Sequence, residues 1–205
     1  MNLEKLKKIL IKKIKMKPFL IFVSLIIGLF IILFSANLVS AEEEWEIQRF
    51  EKFSYATVSG EIQHGDKLAF IIASEDDCNE VTSWFTFYTW QNPKDFDQLL
   101  DKEVPILMNE EIEISATIIS ITPFLNGNRV ILALGTFPIK EYIYLVHKTY
   151  EEFKKYEIEI VDGINFEASK YFDIIFNKWK LDNLIESISK ANKICKEINL
   201  NKEIS

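Results

Sequence analysis

After residue 41 the chain predicts a mostly β domain, a β-sandwich or strongly curved antiparallel sheet, closed by a C-terminal α-helix. Three features predict it. Short runs rich in Val, Ile, Thr and aromatic residues alternate with polar ones and stop at Gly, Pro, Asn or Asp. Gln63-His64-Gly65-Asp66 and Asn126-Gly127-Asn128 each separate two such runs, as hairpin turns do. A single long apolar stripe at helical spacing lies near the end of the chain.

Taken in order, Glu44 to Phe50 alternates Trp45, Ile47 and Phe50 with Glu44, Glu46 and Gln48, and reads as a strand with a bulge near Arg49. Tyr55–Ile62 and Lys67–Ala73 are the arms of a hairpin. Ser74–Glu80 (SEDDCNE) is a polar loop holding Cys78. Val81–Trp90 (VTSWFTFYTW) sets Trp84, Thr86, Tyr88 and Trp90 on one face and Phe85, Phe87 and Thr89 on the other. Both faces are largely apolar, which predicts a central strand. Pro93 ends it, and Lys94–Leu100 suits one or two helical turns. Val104–Met108 is a short strand, and Glu111–Ile121 pairs with Arg129–Phe137, which stops at Pro138.

Ile143, Val146, Tyr150 and Phe153 share a helical face, so Tyr142–Phe153 reads as a helix rather than a strand over Lys140–His147. Glu157–Val161 is a strand, Asp162-Gly163 a turn, and Phe166–Phe176 a further strand. In the closing helix, about residues 182–198, Leu181, Leu184, Ile185, Ile188, Ala191, Cys195 and Ile198 form the apolar face. Glu186, Ser187, Lys190, Lys193 and Lys196 lie opposite, with Asp182 as N-cap and the lysines favourable to the helix dipole. The sum is about eight strands with two late helices.

The first 41 residues have a different character. Residues 1–17 carry seven lysines and one glutamate, and residues 18–35 carry no charge. Ala36 to Ala41 follow, then Glu42-Glu43-Glu44. This is the order of a signal peptide, with Val39 and Ala41 small enough for cleavage after Ala41. The rival reading is an uncleaved anchor, because the apolar run extended to Ala41 reaches the ~20 residues a transmembrane helix needs. Lysines resist translocation, so either reading leaves the single domain 42–205 outside the cytoplasmic membrane, in the periplasm or tethered to the inner membrane.

Composition narrows the partners. The chain has 24 Lys+Arg and 31 Asp+Glu; residues 42–205 keep 17 and 30 of them, a net charge of −13. Such a surface repels nucleic acid and anionic lipid. Contact with the membrane is therefore expected through the N-terminal segment, at least during export, and with an envelope protein or glycan through the domain. Cys78 and Cys195 are the only cysteines, both beyond the leader, and an oxidising compartment predicts their disulfide.

Few residues suggest chemistry. His64 stands between Glu61 and Asp66 and could serve as a base or ligand, although a polar hairpin tip also accounts for it. His147 borders the apolar stripe of the first helix. Glu75, Asp76, Asp77 and Glu80 surround Cys78 without EF-hand spacing, and read as a solvated loop. Trp84, Tyr88 and Trp90 could stack on sugar rings, or be core if their strand is central. Neither a nucleophile motif, a zinc motif nor a phosphate-cradling glycine loop occurs. The expectation is therefore no catalytic residue, no metal and no cofactor.

Phe176 to Cys195, F-N-K-W-K-L-D-N-L-I-E-S-I-S-K-A-N-K-I-C, is a late strand, a Leu and an amphipathic helix ending in Cys. It resembles the tail of small exported alphaproteobacterial proteins of the invasion-associated locus B type. The resemblance implies an exported β-rich domain with a disulfide to the terminal helix, and no particular chemistry. The whole reading is a non-enzymatic binding or structural domain of a bacterial envelope. The alternatives are a small periplasmic hydrolase using carboxylates such as Asp66 or Asp76 near His64, and a membrane-anchored accessory subunit.

Overall fold

The computed structural model describes residues 45–203, His64 excepted. The leader, whether signal peptide or anchor, and its cleavage site after Ala41 lie outside the described residues. Among those described, no helix is long and apolar enough to cross a membrane.

The domain is built on one nine-stranded antiparallel sheet in the order β1-β2-β3-β4-β7-β6-β5-β8-β9. Its strands are β1 (Glu46–Arg49), β2 (Phe53–Ser59), β3 (Lys67–Ala73), β4 (Glu80–Thr89), β5 (Glu103–Met108), β6 (Ile112–Phe124), β7 (Gly127–Pro138), β8 (Tyr156–Ile160) and β9 (Phe176–Trp179). The sheet curls into a half-barrel, so of the two expected forms the curved sheet is present and the two-sheet sandwich is not. Three helices accompany it: α1 (Ile139–Phe153), α2 (Ala168–Tyr171) and α3 (Leu184–Glu203).

The curl has a local cause. Ser83 pairs with Gly135 and Trp84 with Ala133, so β7 carries one extra residue, Leu134. Ile118 pairs with Leu132 and Ser120 with Ile131, so β6 carries Ile119 as another. Bulges bend a strand and increase its twist, and both lie at β7 in the middle of the sheet, where Gly135 takes φ 128°. β4 keeps its alternation, and Val81, Phe85 and Phe87 point into one continuous buried core with Phe70, Ile118, Leu132, Tyr156 and Trp179. The position of β4 is therefore central, as its two apolar faces require.

The sequence expectations hold for the two hairpins and for α1, and fail in five places; the first is β1, which pairs with β2 in unbroken register, without a bulge near Arg49. The β6–β7 turn is Leu125-Asn126, one residue earlier than the Asn-Gly signal suggests, with Leu125 at φ 52°. Gly127 is instead the first residue of β7, where a Cβ would sit 2.3 Å from the Thr89 carbonyl oxygen and 2.7 Å from Tyr88 Oη. Close approach, and not turn geometry, demands that glycine.

Phe166–Phe176 is not a strand. The Asp162 carboxylate accepts the Ala168 N–H (2.8 Å), and α2 then places Tyr171 and Phe172 against Phe96, with ring centroids 5.7 and 6.3 Å away. Phe172 also meets Phe87 edge-on at 6.1 Å. These aromatics cluster around an end of the core where a strand reading had them in a ladder; β9 begins only at Phe176.

Asp182 is not an N-cap, because α3 begins at Leu184. Its carbonyl accepts Trp45 Nε1–H at 2.7 Å, tying the start of the sheet to the entry of the helix. The buried stripe of α3 is Leu184, Ser187, Ile188, Ala191, Cys195 and Ile198. Ile185 is 54% exposed and Ser187 only 4%, the reverse of their expected faces. The Ile185 position lies about 100° around the helix from Leu184, outside the 3- and 4-residue ladder that faces the sheet. The Ser54 hydroxyl of β2 donates to the Ala191 carbonyl at 2.6 Å beneath that stripe.

Cys78 and Cys195 are joined as a disulfide, with Cα atoms 5.9 Å apart and a sequence separation of 117. Asn192 Nδ2 donates to the Cys78 carbonyl at 2.7 Å, so a hydrogen bond and a covalent bond pin α3 to the β3–β4 connection. A loop of this length removes about 4–5 kcal/mol of unfolded-chain entropy by the chain-entropy relation. Cys195→Ser, or reduction, is expected to lower the urea unfolding free energy by up to that amount, and thiol titration of the denatured, unreduced wild type should find no free thiol. Two free thiols, or equal stability with and without reductant, would contradict the bond.

Candidate functional site

The two ends of the curled sheet meet where the β2–β3 loop reaches β9. The Glu61 N–H donates to the Lys178 carbonyl at 2.8 Å, as a further sheet rung would. Asn177 of β9 lies against Gly60, where a Cβ would come within 2.3 Å of Asn177 Nδ2. The amide of Asn177 is fully used. Its Oδ1 accepts the Ile62 and Lys178 N–H groups (3.0 and 2.8 Å), and its Nδ2 donates to the Gln63 carbonyl and to Asp66 Oδ2 (3.2 and 3.0 Å). Glu61 takes Lys178 and Lys180 at 3.3 and 3.0 Å. Partial burial favours its neutral form, but these two ammonium groups outweigh that and hold its carboxyl below the usual range.

Asp66 is the buried carboxyl of this junction, 1% exposed. Its Oδ1 accepts the Tyr88 N–H at 2.8 Å, and its Oδ2 accepts Asn177. Burial pushes the carboxyl up to about 7, against the pull of those two hydrogen bonds and with added repulsion from Asp173. A carboxyl poised near neutrality in a cleft is a candidate site on physical grounds.

Asp66 lines a small pocket of about 170 Å³ with Gln63, Gly65, Tyr88, Phe124, Leu125 and Arg129. Its accessible lining is mostly apolar. Tyr88 is 9% exposed, and its hydroxyl and Gln63 Oε1 are buried in the wall without a hydrogen-bond partner among the described residues. The rim is cationic: the Arg129 guanidinium stands 5.2 Å from the centroid of the Phe124 ring. The walls are Phe124, Leu125 and the Tyr88 ring, which Trp90 meets edge-on at 5.1 Å.

Of the residues singled out in the sequence, Tyr88 lies in this pocket and Trp90 beside it, 56% exposed. Trp84 is half-buried on the same strand, paired with Ala69 and Ala133. His64 belongs to the same loop by sequence and lies outside the described residues. Asp76 sits in the turn before Cys78, away from Asp66, and its neighbour Glu75 pairs with Lys52 at 3.7 Å. Among the described residues no three acidic, His or Cys side chains converge. His147 lies within α1, half-buried at the border of its apolar stripe as expected, and lines an open groove with Tyr150, Glu151 and Asp182.

Sequence reading did not find Asn177, Gln63, Phe124 or the pocket role of Arg129. Arg129 carried a signal as one of only two arginines, placed just after the hairpin turn. Asn177 is 111 residues from Asp66, and no local pattern announces that pairing.

Asp66 gives a pH dependence with a definite sign. Its folded value near 7 exceeds the ordinary 3.8, so the folded state holds a proton that the unfolded chain has released. The corresponding stability is fully present below about pH 4 and is lost as pH rises to 7, at ~1.4 kcal/mol per unit. Wild type is therefore expected to unfold more easily at pH 8 than at pH 5. Asp66→Asn should flatten that slope, even though it removes an acceptor and lowers stability at pH 5. Equal slopes in urea titrations of the two proteins would mean that Asp66 titrates as an ordinary carboxyl.

The chain matches no protein-family model, no curated protein and no solved structure.

Proposed function

We propose that residues 42–205 are the exported domain of a bacterial envelope protein, acting by non-covalent binding rather than by catalysis. The observation that carries this reading is the bond between the only two cysteines, Cys78 and Cys195. Such bonds form and persist in oxidising compartments and are rare in reducing ones. The lysine-rich, then apolar, then small-residue order of residues 1–41 supplies a route to such a compartment. A disulfide to the terminal helix is also what the resemblance of residues 176–195 to invasion-associated locus B type proteins implies.

Binding is favoured over hydrolysis by how Asp66 is held. Both its oxygens accept hydrogen bonds from groups of the sheet, Tyr88 N–H and Asn177 Nδ2, and the residue is 1% exposed, so the carboxyl is a fixed part of the wall. A general base must come within hydrogen-bond reach of the water it activates.

Intact-mass measurement on protein from native cells, with fractionation, tests the export reading. The expected product begins at Glu42, is found outside the cytoplasmic membrane and carries no free thiol. A full-length chain in the membrane fraction, with its domain accessible to external protease, would establish the anchored form. A reduced chain in the cytoplasm would refute export altogether.

A further inference from the structure

We infer that the exposed patch around Leu125 is a self-complementary interface, on which a second copy of this chain docks about a two-fold axis. This deepens the binding reading above by naming the partner.

The patch is a chain of contacts with an acid at one end and a base at the other. Asp173 Oδ1 accepts the Trp90 N–H at 2.9 Å. The Trp90 ring meets Tyr88, Tyr88 meets Phe124 edge-on at 6.0 Å, and the Arg129 guanidinium lies over Phe124. Asp173 and Arg129 are both exposed. Among the described residues Asp173 Oδ2 has no hydrogen-bond partner and Arg129 no carboxylate partner. In an isologous interface each residue of a patch faces another residue of the same patch, in both directions. A two-fold rotation reverses the order, so Arg129 of each copy comes towards Asp173 of the other, with aromatic rings between. Guanidinium and carboxylate match geometrically as a two-bond fork. Trp, Tyr and Arg are also the side chains that carry most binding energy at protein interfaces.

Shape agrees with charge. Leu125 is 82% exposed at the β6–β7 turn. Its φ of 52° is a conformation that asparagine or glycine adopts at lower cost, so turn geometry gives no reason for a leucine. Beside it opens the apolar-lined pocket of about 170 Å³, room for about six water molecules at ~30 Å³ each and therefore for a four-carbon side chain. With knob and hole adjacent on one surface, a two-fold axis fills both holes at once and closes the assembly as a dimer. A bilayer could take the knob but would leave the acid-to-base order unused, and the net charge of −13 on residues 42–205 repels anionic lipid. Only a few large side chains take part, against roughly 20–30 residues a side in a standard interface, so the dimer is weak, with Kd on the order of 0.1 mM.

The test is sedimentation equilibrium of the protein as cells export and process it, in a density-matched non-ionic detergent, from ~5 µM to ~0.5 mM. Salt is held at ~0.15 M, where a Debye length of about 8 Å screens the mutual repulsion of two acidic domains. A monomer–dimer equilibrium is expected. Leu125→Asn, which suits the turn, should keep or raise the melting temperature and weaken the dimer about tenfold, the loss of one well-buried contact. Arg129→Glu and Asp173→Lys should each weaken it as much, because each sets like charges together twice. Their equimolar mixture should recover the dimer, because the mixed pair restores both contacts. If Asp173→Lys fails to fold, Asp173→Asn keeps the Oδ1 acceptor for Trp90 and should pair with Arg129→Glu better than Arg129→Glu pairs with itself. A monomer throughout, a dimer indifferent to Leu125→Asn, or charge variants that do not recover on mixing would each overturn the interface. A monomer that co-sediments with phosphatidylethanolamine vesicles, and loses them on Leu125→Asn, would overturn it in favour of lipid. None of these results bears on export, which is read from mass, location and thiol state.

Discussion

The contact on which the rest of this structure depends is the hydrogen bond between Asp66 and Asn177. A curled sheet has two free edges, and exposed strand edges are templates for unwanted pairing. Here the edge of β9 is met by the β2–β3 loop, with the Glu61 N–H bonded to the Lys178 carbonyl. Asn177, in a strand of only four residues, fixes the register of that meeting by satisfying all four positions of its amide. Polar atoms buried in this way are costly when unpaired, so they specify one arrangement and penalise its neighbours. A strand slip of one residue would turn the Asn177 amide to the opposite face and leave Asp66 Oδ2 without its donor.

Closing the sheet laterally still leaves its ends open, and the chain uses different means at each. Residues 166–172 gather Phe166, Tyr171 and Phe172 against Phe96 and Phe87 at one place. α3 covers β1, β2 and β3 with a stripe that has Ala191 and Ser187 among its larger apolar residues. The small residues let the helix backbone come near enough for Ser54 to reach the Ala191 carbonyl. Trp45 to Asp182, Ser54 to Ala191 and Cys78 to Cys195 all join early and late parts of the chain. Such pairings are slow to find and expensive in loop entropy, which is where a covalent link of long span is most effective.

This division of labour explains which parts were legible in the sequence. β3, β4, the β6–β7 hairpin and α1 are decided by local periodicity, and local periodicity found them. Asp182 looked like a cap because it precedes an apolar stripe, yet Asn183 adopts φ 63° and delays the helix to Leu184. Phe166–Phe176 looked like a strand because it is rich in aromatic residues, which strands and core plugs both favour. The Asp66 carboxyl was visible as a candidate only through its neighbours in sequence. Its donors, Tyr88 N–H and Asn177 Nδ2, come from 22 and 111 residues away, and nothing local encodes either distance.

Among the described residues, buried polar atoms without hydrogen-bond partners include two sets that lie in different surroundings. Ser83 and Tyr156 present hydroxyls beside that of Tyr142, deep among core residues, where burial pushes the Tyr156 phenol well above its ordinary range. Those groups can serve one another through small rotations of their hydroxyls, so their environment is self-sufficient. Tyr88 Oη and Gln63 Oε1 lie in the wall beside Asp66, a carboxyl whose ionisation burial opposes. The Tyr88 hydroxyl is a donor as well as an acceptor and the Gln63 amide carries two N–H donors, so rotations can supply bonds there too. The same Asp66 that fixes the edge of the sheet is thus held among polar atoms turned away from water, and the seam is what raises its proton affinity.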